Sequence, residues 1–467
     1  MAPQDLNRGV PGLDYFTPAH LTSPGTLSKN TSHTPTLFTP LTIRSTTLRN
    51  RILVAPMCQF STAASGPTTG ALTDYHIATL GHYALKGAAL VFIEATGVQA
   101  NGRISPNCPG LWTDAQIPAL RRVSDFIKSQ GSLSGIQLAH AGRKGSTCAS
   151  WIAGTQKTEG GKRKISVKAD TDVGGWPGDV VGPMGGEEWA WDEKARDAEG
   201  SGYWAPRALS VTEIEALVQD WASSAVRAVK AGIDVIEIHA AHGYLIHQFL
   251  SPITNRRTDK YGGSFENRTR ILIEIIKAMR SVIPDGMPLY LRISATEWME
   301  DTDLGKKHGS WTVEDSIRLA KLLPGLGVDL LDVSSGGNHP AQQINMFDSK
   351  DYQTRIAARI RGGLKKENLR LFIGAVGLIT EAVQAKSIVE EGGAAVLKTN
   401  GEAEIEKEAR AAVAVTQVKD GKEPLADVVL VARQFMREPE WVLKVAWQLG
   451  VDVAWPNQFL RVRFPKL

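Results

Sequence analysis

From Ile52 onward the chain alternates short apolar runs with longer stretches whose apolar positions recur every three and four residues. The apolar, β-branched runs read as buried strands at 52–55, 90–95, 134–139, 233–238, 289–293, 330–333, 371–375 and 428–431. Between and after them, the stretches 73–86, 114–130, 212–231, 265–282, 313–323, 350–361, 381–390 and 438–449 carry helix signals. In the third of these, Ile214, Leu217, Val218, Trp221, Ala225 and Val229 share one helical face. Thr212 with Glu215 predicts a capping box there, and Thr312 with Asp315 starts a later helix in the same way. Apolar strands alternating with amphipathic helices imply a parallel sheet covered by helices. Eight repeats predict an α/β fold of the (β/α)8 TIM-barrel kind rather than a doubly wound sheet.

Two segments interrupt the alternation. Residues 150–206 follow the third strand and are Gly-rich, yet contain Trp151, Trp176, Trp189, Trp191 and Trp204. Flexible linkers lack such aromatics, so an ordered lid is expected. Residues 393–426 precede the last strand and read as a surface insertion with a helix over 402–418. Residues 1–36, rich in Pro, Ser and Thr, read as a flexible or surface-draped N-terminal extension, which leaves 37–467 as the barrel with its two insertions.

Composition narrows the function. A 42% hydrophobic fraction supplies a large core, and 53 Lys and Arg against 49 Asp and Glu give no basic field for nucleic acid. Cys58, Cys108 and Cys148 are odd in number and widely spaced, so neither a disulfide framework nor a Cys-based metal site is expected, and a reducing, cytoplasmic location fits. No apolar run has the length of a membrane span. No Gly-x-Gly-x-x-Gly follows the first strand, and Arg, Lys or Glu follows each Gly-Lys pair, so Rossmann and P-loop sites are not expected.

In a barrel of this kind the chemistry sits at the C-terminal ends of the strands. Those ends hold Ala55, Pro56, Met57, Cys58 and Phe60; Ala95; Gln137 and His140; His239, His242 and Tyr244; Arg292; Ser334 to Gly337; Ala375, Val376 and Gly377; and Ala432 and Arg433. Two histidines three residues apart, with a tyrosine two further on, suit holding and protonating a polar substrate. They also read as loop histidines that merely hydrogen-bond each other's surroundings. A zinc pair is disfavoured, because no Cys or carboxylate follows at metal spacing. Glycines and an arginine past strands seven and eight match a phosphate pocket. Arg292 and Gln137 suit a flat heterocycle that becomes anionic on reduction, and together the set reads as a site for flavin mononucleotide (FMN).

The chain resembles the old yellow enzymes, the flavin-dependent ene-reductases. The motifs are Asn50-Arg51-Ile52 through Ala55-Pro56-Met57, Gln137-Leu138-Ala139-His140-Ala141-Gly142-Arg143-Lys144, and His239 to Asn267, within a resemblance that runs from 37 to 461 and leaves the two insertions outside it. Cys58 after Met57 marks the subclass found in bacteria and fungi. The resemblance implies that Ala55, Pro56, Met57 and Cys58 line the flavin, that Ala95 and Gln137 hold its pyrimidine side, and that Arg292 stabilises the anionic reduced ring. It implies phosphate binding by Ala375, Val376, Gly377, Ala432 and Arg433. His239 and His242 would bind a substrate carbonyl oxygen, and Tyr244 would sit where the proton donor sits. Arg461 would reach a neighbouring subunit's site, which implies a homodimer or higher homo-oligomer. Phe60 stands where a substrate-binding Tyr is frequent, and Ala432 replaces a usual Gly. The implied activity is NADPH- (or NADH-) dependent reduction of the C=C bond of enones or enals by ping-pong hydride transfer. An oxidative or redox-neutral biosynthetic step on one specialised substrate is the alternative, and a flavin-binding protein without turnover a third. Iron–sulfur relatives acting on dienoyl-CoA or amines are discounted, because the three Cys lie far apart in sequence.

Overall fold

The computed structural model describes residues 7–157, 161, 163–192, 202–344, 349–392 and 423–465. Eight parallel strands close into a barrel: β1 (Ile52–Val54), β2 (Leu90–Gly97), β3 (Leu133–Ala139), β4 (Val235–Ala240), β5 (Leu289–Ser294), β6 (Leu330–Ser334), β7 (Phe372–Val376) and β8 (Val428–Val431). The ring closes where β8 pairs with β1 in the register Val429↔Ile52, Leu430↔Leu53 and Val431↔Val54. Around it lie α1 (Asp74–Leu85), α2 (Ile117–Ser129), α3 (Val211–Lys230), α4 (Phe265–Arg280), α5 (Val313–Leu326), α6 (Tyr352–Lys365), α7 (Ala382–Val389) and α8 (Trp441–Gln448). The predicted (β/α)8 barrel is thus the fold. No helix among the described residues is long and apolar enough to cross a membrane.

Several expected boundaries move, three of them in ways that bear on the site. The third helix starts at Val211, and its capping box is Ser210 with Glu213, not Thr212 with Glu215: the Glu213 N–H donates to Ser210 Oγ (3.2 Å) and the Ser210 N–H to Glu213 Oε2 (2.8 Å). Strand β4 runs on to Ala240, so His239 lies inside the strand. The expected helix 438–449 is α8 and starts only at Trp441, and a short helix that was not expected, Arg433–Arg437, precedes it, so Arg433 opens a helix directly after β8. The helix expected over 402–418 lies outside the described residues.

Strand periodicity sorts the side chains into two populations. Ile236, Ile238, Leu291, Ile293, Leu331 and Val333 face outward into the large core shared with the helices. Leu53, Leu90, Phe92, Val235, Tyr290, Leu330, Val428 and Leu430 face inward, joined by Ile43 and Leu48 from a two-stranded hairpin, Leu41–Ile43 with Thr46–Leu48. This inner cluster plugs the lower barrel. Two residues further along β3 to β6, the interior turns polar: Gln137, Glu237, Arg292 and Asp332 form the next layer, each at most 5% exposed.

The segment before the barrel is hydrogen-bonded to the far end of the chain. The Gly25 N–H donates to the Ala454 carbonyl (2.9 Å), Ser28 N–H to Asp452 (2.9 Å) and Ala454 N–H to Thr26 (2.8 Å). Among the described residues of the lid, 150–206, are a short helix (Ser150–Thr155), three single-turn 3-10 helices and a strand, Val181–Gly182, that pairs with Arg207–Ala208 just beyond it. Tryptophans fasten much of it. Trp204 Nε1 donates to Ser146 O (3.0 Å) and Trp191 Nε1 to Gly337 O (3.1 Å), whereas Trp151 is 56% exposed and touches Phe60 edge-on.

Candidate active site

The polar layer is the floor of the site. Gln137 Nε2 donates to Glu237 Oε1 (2.7 Å), Arg292 lies 3.7 Å from Glu237, and its Nε donates to Asp332 Oδ2 at 2.5 Å. Burial raises the Glu237 carboxyl to about 8, against the opposing pull of Arg292. The layer therefore carries one proton on Glu237 at neutral pH and a compensated Arg292–Asp332 pair. The protonated Glu237 shares a side-chain hydrogen bond with Asp332, and Arg292 Nη2 has no well-aligned hydrogen bond. Unused donor capacity in a dry floor is costly unless a ligand uses it.

One layer above, β4 delivers His239, and the loop after it delivers His242 and Tyr244. The His239 ring is edge-on to His242 (5.2 Å between centroids) and to Tyr244 (4.9 Å). His239 Nδ1 accepts the Ala241 N–H (3.2 Å), which fixes the proton on Nε2. His242 Nε2 meets Ser334 Oγ at 2.7 Å. The same hydroxyl lies 3.4 Å from Gln353 Oε1. His239 Nε2, a donor, and His242 Nδ1 are thus two ring nitrogens with no hydrogen bond among the described residues. Burial first, then nearby cationic and imidazole groups, hold both imidazoles well below the ordinary histidine value, so both are neutral at pH 7. Burial holds the Tyr244 phenol well above its ordinary value, so it stays protonated.

His242 has φ +58, a conformation rare outside glycine, and it is held there by Ser294 Oγ, which accepts its N–H (2.8 Å). The close backbone approach of the β6 loop makes this possible: a Cβ on Gly337, itself at φ +87, would lie 2.8 Å from His242 Cα.

Lys144 lies behind the tyrosine. Its Nζ donates to the carbonyls of His242 (3.0 Å) and Gly337 (3.1 Å) and sits over the rings of Trp191 (4.8 Å) and Tyr244 (5.3 Å). Burial, with Arg143 beside it, lowers the ammonium to about 7. Arg143 ties lid to barrel by donating to the carbonyls of Trp189 (3.1 Å) and Asn338 (2.7 Å).

The expected residues fall around this centre. Pro56, Met57, Cys58 and Phe60 are half-buried in the loop after β1, and Cys58 accepts a backbone hydrogen bond from Ala95 at the end of β2. Ala375 and Val376 end β7, with Gly377 at φ +104, where a Cβ would meet Gln353 Nε2 at 2.4 Å. Ala432 and Arg433 follow β8, and Arg433 is exposed with no ion pair or hydrogen bond among the described residues. Arg461 is exposed in a C-terminal 3-10 turn, away from these contacts. Glu237, Asp332, Ser334 and Lys144 complete the arrangement without having been assigned roles from sequence. Glu237 and Asp332 had a readable signal: each lies two residues before an inward polar residue in an otherwise apolar strand.

These residues fit FMN. The floor offers an amide and a guanidinium with unused hydrogen-bonding capacity to a flat polar ring that turns anionic. The β7–β8 rim offers a glycine-shaped backbone and an unpaired arginine to a phosphate. Arg433→Ala is expected to weaken FMN binding by about 1.5–3 kcal/mol, roughly tenfold to a hundredfold in Kd, by fluorescence titration of the FMN-free protein. Unchanged affinity would make the arginine a bystander.

Residues 36–403 match the model of the NADH:flavin oxidoreductase / NADH oxidase family. The chain is similar to an NADH:flavin oxidoreductase of Gibberella zeae, at 39% identity over 97% of this chain and 94% of that one. It is 35% identical to an NADPH dehydrogenase of Bacillus velezensis, over 91% of this chain and 98% of the relative. Among solved structures, morphinone reductase matches with a TM-score of 0.58 at 24% identity, covering 91% of this chain and 93% of that one. The old yellow enzyme homologue of Zymomonas mobilis matches with a TM-score of 0.58 at 22% identity, covering 93% and 97%. These two likenesses are of fold.

Proposed function

Because the chain belongs to the NADH:flavin oxidoreductase / NADH oxidase family, that of the old yellow enzymes, and is an NAD(P)H:flavin oxidoreductase with FMN as its cofactor, we propose that it reduces the C=C bond of α,β-unsaturated carbonyl compounds in a ping-pong cycle. Bound FMN would supply the hydride chemistry that links nicotinamide and substrate. The chain's own residues do the rest. His239 Nε2 and His242 Nδ1 donate to the carbonyl oxygen, where negative charge develops as the β-carbon is reduced. Their neutrality matters: each gives a hydrogen bond without giving up its proton. Tyr244 Oη supplies the proton for the α-carbon. Arg292, held between Asp332 and Glu237, would offer a fixed positive charge to the ring that becomes anionic. Trp191 and Arg143, fastening the lid to the β6 loop, restrict water at the mouth.

The observation that carries this reading is the pair of neutral imidazoles, each with an unclaimed ring nitrogen, beside a protonated phenol. Enzyme reduced anaerobically with NADPH is expected to be reoxidised stoichiometrically by cyclic enones, with the saturated ketone as product. A flavin that stays reduced through an enone and enal panel would overturn the proposal. A separate readout addresses the donors. Phenols imitate the enone oxygen and, stacked on oxidised flavin, give a long-wavelength charge-transfer band. The double substitution His239→Ala, His242→Ala is expected to weaken phenol binding by roughly tenfold to a hundredfold, at about 0.5–1.5 kcal/mol per lost hydrogen bond. Wild-type affinity in that variant would remove the histidines from oxygen binding.

A further inference from the structure

Strands β1 and β2 are neighbours in the barrel, paired at Leu53↔Leu90 and Val54↔Val91, so the loops that follow them run side by side. The loops are clamped together. Thr62 N–H donates to Asn107 O (3.1 Å), Asn107 Nδ2 to Thr62 O (2.9 Å) and Thr62 Oγ1 to Cys108 O (2.9 Å). A tight turn fixes Cys108, whose N–H donates to Ser105 O (3.0 Å). The clamp brings two cysteines far apart in sequence face to face, and the Cys58 and Cys108 thiols share a hydrogen bond. Their exposures differ: Cys58 is half-buried at the mouth, whereas Cys108 is fully enclosed. Among the described residues no group of three or more His, Cys, Asp and Glu side chains is placed to hold a metal, which leaves sulfur chemistry.

We propose that Cys58 and Cys108 form a reversible dithiol–disulfide site at the mouth of the barrel, oxidised by hydrogen peroxide. The asymmetry assigns the order of events. The accessible Cys58 gives up its proton and attacks one peroxide oxygen; an S–O bond forms, the O–O bond breaks, and the departing hydroxide takes the proton to become water. Cys108 then gives up its proton and attacks the Cys58 sulfur; the S–S bond forms, the S–O bond breaks, and a second water leaves. Two thiols and one peroxide give one disulfide and two waters, the two electrons coming from the sulfurs. Peroxide is the two-electron reduction product of dioxygen, so a flavin oxidoreductase that passes electrons to dioxygen generates this oxidant at its own mouth. The shared hydrogen bond, burial and nearby Glu94 keep the Cys58 thiol protonated at neutral pH, so the resting pair is reduced and reacts slowly. Cys148 lies apart, its thiol against the Lys168 carbonyl (3.4 Å), and serves as an internal control.

The test is peroxide treatment of the FMN-loaded protein, followed by denaturation, alkylation and mass spectrometry. Alkylatable thiols are expected to fall threefold, from three to one, with an intact mass lower by two hydrogens and a Cys58–Cys108 cross-linked peptide that dithiothreitol removes. Cys148→Ser is expected still to lose two thiols, and Cys108→Ser to lose the cross-link while Cys58 gains oxygen. The proposal is overturned if treated wild-type protein keeps three alkylatable thiols, gains oxygen on Cys58 without a cross-link, or cross-links through Cys148.

Discussion

Tyr244→Phe is expected to leave flavin reduction by NADPH nearly unchanged and to slow enone-driven reoxidation by about 10²–10⁴-fold, the range of positioned acid catalysis. Only the second half of the proposed cycle needs a proton donor, and Tyr244 is prepared for it. Its phenol stays protonated because burial raises it well above the ordinary value. Its hydroxyl makes no hydrogen bond among the described residues, so nothing need be broken before it donates. The ring is held edge-on to His239 and beneath the Lys144 ammonium, and the backbone on either side is tied down: Leu245 N–H donates to His140 O (2.9 Å) and Gln248 N–H to Tyr244 O (2.9 Å). Removing one oxygen leaves all of that packing in place. Stopped-flow traces of the two half-reactions separate the outcomes. Collapse of reduction by NADPH with wild-type reoxidation would mean that Tyr244 positions the nicotinamide instead.

Arg292→Leu is expected to destabilise the FMN-free protein by about 3–5 kcal/mol in urea unfolding, the cost of stranding buried charges after one member of an ion pair is removed. Leucine fills much of the space, but Asp332, fully buried, and Glu237 lose their only cation in the floor. The deficit should depend on pH, and its sign follows from the carboxyls. Burial raises Asp332 above the ordinary carboxylate value and Glu237 to about 8, even with Arg292 opposing. A carboxyl with a raised folded-state value holds a proton that the unfolded chain has already released, so its contribution to stability falls as pH rises through that window. Without the guanidinium both are pushed further up. The deficit should therefore grow as pH rises, the Glu237 part of it appearing above about pH 8, where the wild-type carboxyl ionises beside Arg292 and the variant's stays protonated. A loss below about 1 kcal/mol that is flat with pH would mean that water, not Arg292, compensates the floor.

Much of this architecture was legible because its signals are local. The strand runs and the helical period gave the barrel. The spacing of His239, His242 and Tyr244 gave the centre, since a strand and the first residues after it must deliver side chains to the mouth. Errors arose where two local signals competed. Ser210-Val211-Thr212-Glu213 and Thr212 with Glu215 both resemble caps, and the choice depends on where α3 meets the barrel. The short helix Arg433–Arg437 was not expected at all, and Pro439 is the one sequence cue that it ends before α8. Other features were illegible for a different reason. The Cys58–Cys108 contact, the carbonyls that hold Lys144 and the tie between Trp191 and Gly337 each join residues from separate loops. Only the closed ring brings those loops together.

The closure of that ring also orders events during synthesis. β1 emerges from the ribosome early, but its neighbour β8 is separated from it by most of the chain. Until then one edge of β1 stays unpaired, and the strap that joins residues 25–28 to 452–454 cannot form. Contacts so distant in sequence carry a high loop-closure cost and form slowly. A nascent chain thus holds an apolar, β-branched edge open until β8 has been made, the kind of edge that pairs with other chains and that chaperones cover.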